Sequence, residues 1–272
     1  MKTKTIAART KCIVAALILS MSIGVMPVYA VQPVQETNVA VEQSQDSVEE
    51  KAAAYFANFP EDKHVVSAAD FLKMVENKEN ICVLDIRSAE DYAAGHIQGA
   101  INVPYGVDVA EALEKIPNDR TVYVYCYSGQ TASQTVALLN LAGKNAYNVS
   151  GGFTGISKEE AAAGLTVKEA ADFGEKTYPV DAQIKKAIQE YYEAAAENGK
   201  FNLSAEQVKQ AIADDEIYLV DLRSENDYLK SHIAGATRNI PFGKGMEKVL
   251  AKLPTDKPIV FQCYSGQTAS QT

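Results

Sequence analysis

The chain predicts an α/β fold in which a central parallel sheet lies between two helical layers, three layers in all, built twice in tandem. Three observations carry this. Short apolar runs rich in β-branched residues alternate with helix-forming stretches, the pattern of strand–helix–strand units in a parallel sheet. Val83-Leu-Asp-Ile-Arg-Ser88 returns as Leu219-Val-Asp-Leu-Arg-Ser224, and Asp91-Tyr92, His96-Ile97 and Gly99-Ala100 return as Asp227-Tyr228, His232-Ile233 and Gly235-Ala236. Finally, Cys126 through Thr135 reappear unchanged as Cys263 through Thr272. A repeat of this length is far longer than a solenoid unit, so each copy is expected to be a domain.

The elements follow in chain order. Lys2, Lys4, Arg9 and Lys11 precede an apolar run from Cys12 through Val25, and Val28-Tyr29-Ala30 supplies small residues for cleavage. Residues 1–30 therefore read as a secretory signal peptide, the run being short for a membrane span of about 20 residues. Residues 31–50, rich in Gln, Val and Glu without sustained period, read as a flexible leader. The first domain is placed at 51–172. In it, Ser67 with Asp70 caps a helix carrying Phe71-Leu72. Strands are expected at Ile81–Ile86, Ala100–Val103 and Thr121–Tyr125, with helical stretches at Ser88–Ala94 and Val109–Ile116. A helix over Gln130–Ala142 and a strand over Ala146–Val149 complete it. The segment Asp181–Asn198 is a good helix former and leads into the second domain, placed at 181–272, where Ser204 with Gln207 repeats the capping signal. That copy is truncated. It stops one turn into the helix expected after Cys263 and lacks counterparts of the rest of that helix, of Ala146–Val149 and of Gly151–Ala163, which would leave sheet backbone and a core face uncovered. Either the sequence is a fragment or the second module is degenerate or completed by another chain; a break inside an element favours the fragment.

The charge balance limits the partners. With 26 basic and 35 acidic residues the formal charge is −9, and loss of the basic leader makes it more negative. Nucleic acid and anionic lipid both require a basic face, so neither is expected as a partner. No segment after the leader is long and apolar enough to insert in a membrane. The expected location is extracytoplasmic: secreted, periplasmic or at the cell surface. Three cysteines remain in the processed chain, Cys82, Cys126 and Cys263, and an odd number in an exported protein flags a free thiol. Cys82 lies inside an apolar strand pattern and reads as a small buried hydrophobe.

Cys126 differs. It ends a strand, at the sheet edge where open α/β folds place ligands. Ser128-Gly129 permits a tight turn, and a helix begins near Gln130 or Thr131. Backbone N–H groups of such a loop, with the positive end of the helix dipole, favour an anion. A cysteine there is expected to ionise more readily than a free thiol, and the thiolate is the nucleophile.

Asp85-Ile-Arg87, Tyr92, Gly95-His96-Ile97-Gln98-Gly99-Ala100, Asn102, Pro104, Cys126-x-Ser-Gly-x-Thr131 and Ser150-Gly-Gly-Phe153 together resemble the rhodanese domain. The likeness covers about residues 60–165 and, truncated, 201–272. It implies a three-layer rhodanese-like fold and a sulfurtransferase in which the loop cysteine Cys126 becomes a persulfide; Cys263 holds the repeated catalytic position but is expected to contribute little while its module is truncated. A donor such as thiosulfate, polysulfide or a persulfide would supply the sulfur, and a thiol or cyanide would accept it. N–H groups from Tyr127, Ser128, Gly129, Gln130 and Thr131 would bind the anion, with no metal or organic cofactor. The loop lacks the Arg or Lys that many members place there, which makes polysulfide or persulfide at least as suitable a donor as thiosulfate. It also lacks the closing Arg that a phosphatase of related fold would need. Asp85 and Arg87 read as a structural ion pair, and His96 as a structural histidine. Tyr127 either lines the pocket or covers the loop. His64, His96 and His232 are too scattered to hold a metal. The alternative to an enzyme is a sulfur-carrier, binding or regulatory module of the same family.

Overall fold

A computed structural model describes residues 48–272, so the expected signal peptide and residues 31–47 of the expected leader lie outside the described residues. Residues 48–50, which the sequence assigns to the flexible leader, instead form the start of a helix over 48–57, α1. The first module then runs β1 (Val65–Val66), α2 (Ala68–Glu76), β2 (Cys82–Asp85), α3 (Ala89–Ala94), β3 (His96–Ile97), β4 (Ala100–Asn102) and α4 (Val107–Ala112). It continues with β5 (Val122–Tyr125), α5 (Gln130–Leu141), β6 (Ala146–Val149), α6 (Gly152–Ile156), α7 (Ala162–Leu165) and β7 (Thr166–Val167).

Five strands form one sheet in the order β1-β6-β5-β2-β4, all parallel. Every residue of β2 and β5 is buried, as expected of strands covered on both faces. Alternation then sorts their side chains. Cys82, Leu84, Val122 and Val124 pack on one side with α4 and α5. Val83, Tyr123 and Tyr125 pack on the other with Phe71, Leu72 and Ile156. This is the three-layer α/β architecture expected. Ser67 accepts from the Asp70 N–H and starts α2, as its capping signal requires. Three short strands escape the sequence pattern, β1 at the sheet edge and β3 and β7, which form an antiparallel pair.

After α8 (Ala182–Glu197), the second module holds α9 (Ala205–Ala213), β8 (Tyr218–Asp221), α10 (Glu225–Lys230), β9 (Ala236–Asn239), α11 (Glu247–Leu250) and β10 (Ile259–Gln262). Its parallel sheet, β10-β8-β9, repeats the β5-β2-β4 portion of the first. Ser204 and Gln207 form a full capping box at α9.

Two helices, α1 and α8, are exchanged between modules. The sequence places α8 at the head of the second domain, yet Ile184, Ile188 and Tyr192 are buried in the first module's core beside Cys82, Leu113 and Val136. Reciprocally, Phe56 of α1 and Phe59 just after it are buried against Val220, Leu222, Ile240 and Phe242 of the second module. Matching hydrogen bonds hold each helix exit. Gln134 donates to the Lys200 carbonyl at 2.9 Å, and Gln271 donates to the Lys63 carbonyl at 3.2 Å.

Candidate functional site

Cys126 directly follows β5, and α5 starts four residues later. Gly129 makes the turn between them with φ +94°, a conformation that favours glycine. The turn aims backbone donors at the sulfur: the Gly129 N–H lies 3.1 Å from Sγ and the Ala132 N–H 3.4 Å. The positive end of the 12-residue α5 sits at the same place. Cys126 itself is only 2% exposed.

The turn Gly151-Gly152-Phe153 is seated backbone to backbone on this loop. Phe153 N–H donates to the Cys126 carbonyl at 2.7 Å and Thr154 N–H to the Tyr127 carbonyl at 3.0 Å. Gly152 leaves no room for a side chain: a Cβ would lie 2.5 Å from the Cys126 carbonyl oxygen and 2.7 Å from the Ser128 nitrogen.

The second loop repeats the geometry. Cys263 Sγ accepts from the Gly266 N–H at 3.1 Å and the Ala269 N–H at 3.4 Å. Burial pushes this thiol up, but hydrogen bonds from the Thr268 hydroxyl and from the Ala269, Ser265 and Gly266 N–H groups outweigh it and hold the thiol below its ordinary value. Cys263 is half-buried, at a shallow cavity of about 340 Å³ that also touches Arg223, His232 and Tyr264. In the first module Phe153 packs on Arg87, the counterpart of Arg223, and β7 pairs with His96, the counterpart of His232. Cys82 is buried at the start of β2, and burial pushes its thiol up to about 11.

The other residues singled out in the sequence fall into two groups. Asp85 and Arg87 form a buried forked pair, Nη2 to Oδ2 at 2.6 Å and Nε to both oxygens at 3.0 and 3.1 Å. The guanidinium also donates to the Gly95 carbonyl at 2.8 Å and lies 3.7 Å beneath the Phe153 ring. It thereby clamps the closing turn. His96 is buried, stacks on Tyr92, and has its ring nitrogens 2.8 and 3.0 Å from the Tyr92 and Glu169 carbonyls. Both nitrogens are occupied by backbone, which leaves none for acid–base work at the thiol. Tyr127 is exposed and its hydroxyl binds Asp91 and Ser88, so its phenol ties the loop to the start of α3 from outside. Tyr264 does the same with Asp227 and Ser224.

Ser128 is exposed and Thr131 half-buried at the start of α5. Gln130 points across to the other module, its Nε2 3.5 Å from the Ser265 carbonyl. Its counterpart Gln267 returns the gesture, accepting from Asn148 Nδ2 at 3.0 Å and lying over Gly129. Gln267 and Asn148 were not singled out by sequence. The one signal for Gln267 is that Gln130 recurs there inside an unchanged ten-residue segment; Asn148 lies outside that segment. Among the described residues no group of His, Cys, Asp and Glu could hold a metal ion.

The family model described as Rhodanese-like domain matches residues 67–159 and 204–272. Among individual proteins, an HTH-type transcriptional regulator of Mycobacterium tuberculosis is 34% identical over 125 residues, 45% of this chain and 52% of its own length. A putative sulfur carrier protein of Bacillus subtilis is 31% identical over 85 residues, 31% of this chain and 45% of its own length. The chain thus spans about half the length of these curated relatives. The thiosulfate sulfurtransferase GlpE of Pseudomonas fluorescens is 36% identical over 77 residues, 28% of this chain and 70% of the enzyme. Among solved structures, SseA of Escherichia coli, described with the rhodanese fold of 3-mercaptopyruvate sulfotransferases, is 18% identical with a TM-score of 0.40, covering 76% of this chain and 90% of that one.

Proposed function

Because the chain belongs to the rhodanese-like domain family, matched in both of its copies, we propose that it is an exported sulfurtransferase carrying sulfane sulfur as a persulfide on Cys126. The observation that supports this most is the pair of N–H donors, from Gly129 and Ala132, converging on Sγ at a helix N-terminus. Such donors stabilise a thiolate before attack and the persulfide anion after it.

In the proposed cycle the Cys126 thiolate attacks the outer sulfur of the donor. The donor's S–S bond breaks and its electron pair leaves with sulfite, when the donor is thiosulfate, or with a thiolate, when it is a persulfide. A thiol or cyanide nucleophile then attacks the outer sulfur of Cys126–S–S⁻ and the thiolate is restored. No electrons are gained or lost overall, so the cycle needs no external oxidant or reductant. The loop holds no basic side chain, which suits a persulfide or polysulfide at least as well as the dianion thiosulfate. Cys263, with equivalent donors, is a second acceptor of the same kind. Export would follow from residues 1–30.

The test is to incubate the full chain with each donor and follow one added sulfur on the Cys126 peptide by mass spectrometry. Cys126→Ser is expected to remove that adduct and the greater part of turnover; undiminished turnover in the serine variant would sink the assignment. A second reading, a sulfur carrier or binding module that does not turn over, is favoured by the 2% exposure of Cys126. It predicts a stoichiometric adduct without catalytic transfer to cyanide or thiol.

A further inference from the structure

We propose that Gln267 of the second module closes the mouth of the Cys126 loop, so that entry to that thiol is set by contact between the modules. The carboxamide lies directly on Gly129, its Cδ 2.9 Å and its Nε2 and Oε1 3.2 Å from where a side chain on that residue would start. Gly129 is the residue whose N–H reaches Sγ at 3.1 Å, so the amide covers the backbone that holds the sulfur. Nor is the amide loosely placed. Its Oε1 accepts from Asn148 Nδ2 at 3.0 Å, and Asn148, fully buried on β6, is fixed in turn by Ser133 Oγ at 2.9 Å.

The contact is reciprocal. Gln130 of the first module packs on Gly266, its Cδ and Cγ 3.1 and 3.2 Å from the start of a side chain there. In both loops the glycine that turns the chain also makes room for the other module's glutamine. Glutamine thus occupies the loop position that faces the neighbouring copy, and the burial of Cys126 has a named contributor outside its own module. Donors small enough to pass a displaced side chain are admitted without separating the modules. Larger, protein-borne donors require the modules to part.

As a control on sulfur entry this rests on the persulfide reading above; the contact itself is tested without any sulfur donor. The full chain is treated with iodoacetamide and modification of each cysteine is followed by peptide mass spectrometry, with deeply buried Cys82 as internal reference. Gln267→Ala removes the cover and one side-chain hydrogen bond, and Cys126 is expected to react about fivefold faster, the factor that about 1 kcal/mol supplies. Gln267→Glu keeps an oxygen to accept from Asn148 and is expected to hold Cys126 within about twofold of wild type, a rescue that general loosening would not give. The proposal is wrong if Gln267→Ala leaves Cys126 unchanged, if Cys82 accelerates in parallel, or if Gln267→Glu opens the loop as far as Gln267→Ala does. A Cys126 that gains reactivity in Gln267→Ala but accepts sulfur from no donor would remove the transferase reading and leave the closure standing.

Discussion

Gly152→Ala is a one-carbon change whose cost follows from the geometry of the sulfur loop. The glycine has φ +56°, where an L-residue pays about 1–2 kcal/mol for the left-handed conformation. The new methyl would fall 2.5 Å from the Cys126 carbonyl oxygen, 2.7 Å from the Ser128 nitrogen and 2.8 Å from the Gly129 nitrogen. All three are backbone atoms, so the clash is relieved only by lifting the closing turn off the loop. That movement breaks the 2.7 Å bond from Phe153 N–H to the Cys126 carbonyl, worth about 1 kcal/mol net. It also disturbs the Gly129 N–H that reaches Sγ. The sum is about 3 kcal/mol of lost stability, to be read from urea unfolding curves of the full chain. Gly164→Ala is the matched control. That glycine lies within α7 with nothing within 4 Å of the added carbon, so alanine there is expected to stabilise by about 0.5–1 kcal/mol. Equal unfolding midpoints for the two variants, or a Gly152→Ala chain within about 0.5 kcal/mol of wild type by the scale of ordinary surface changes, would refute the view that turn and loop are locked together.

Ile188→Ala, in the helix that precedes the second module, is expected to cost about 3 kcal/mol and to expose tyrosines of the first module, since the side chain is buried in that core; near-UV circular dichroism that changed only with the second module's unfolding would argue otherwise. The thiols should titrate apart. Cys263, held below its ordinary value, keeps its thiolate and its alkylation rate as pH falls until its own lowered pKa is crossed, whereas Cys82, pushed up to about 11, stays protonated and inert through neutral pH. A pH–rate profile for Cys263 with its midpoint at or above the free-thiol value of about 8.5 contradicts this.

Much of the arrangement could be read from residues alone, and the parts that could not share a physical cause. The strands around Val83-Leu84 and Val122–Tyr125 announce themselves because burial on both faces demands continuous apolar sequence. Ser67 and Ser204 mark helix starts because their hydroxyls must satisfy free N–H groups. The strand-end position of Cys126 and the turn at Gly129 follow from the same local rules. Partner choice does not. The i, i+4, i+8 spacing of Ile184, Ile188 and Tyr192 shows that α8 has an apolar face but not which module it covers. Gln267 lies over Gly129 only because the whole chain brings two distant loops together, and no local propensity encodes that. Likewise β1 is two residues long, too short for any period, and the pairing of β3 with β7 depends on a return of the chain from far downstream. The sequence marks Asp85, Arg87 and His96 but not all of their partners: the first two bond each other and the guanidinium reaches the Gly95 carbonyl, whereas the His96 ring faces two backbone carbonyls from separate parts of the chain.

The crossed helices make this chain a clasp rather than two beads on a string. Severed in the coil between residues 173 and 180, neither portion would carry its own lid: the upstream piece would lose Tyr192 and its neighbours, and the downstream piece would lose Phe56 and Phe59. The two pieces, mixed, have complementary greasy faces and every reason to reassemble by fragment complementation. Duplication of an ancestral unit in this geometry ties the copies into mutual dependence, so that deleting one leaves the survivor bare as well as alone.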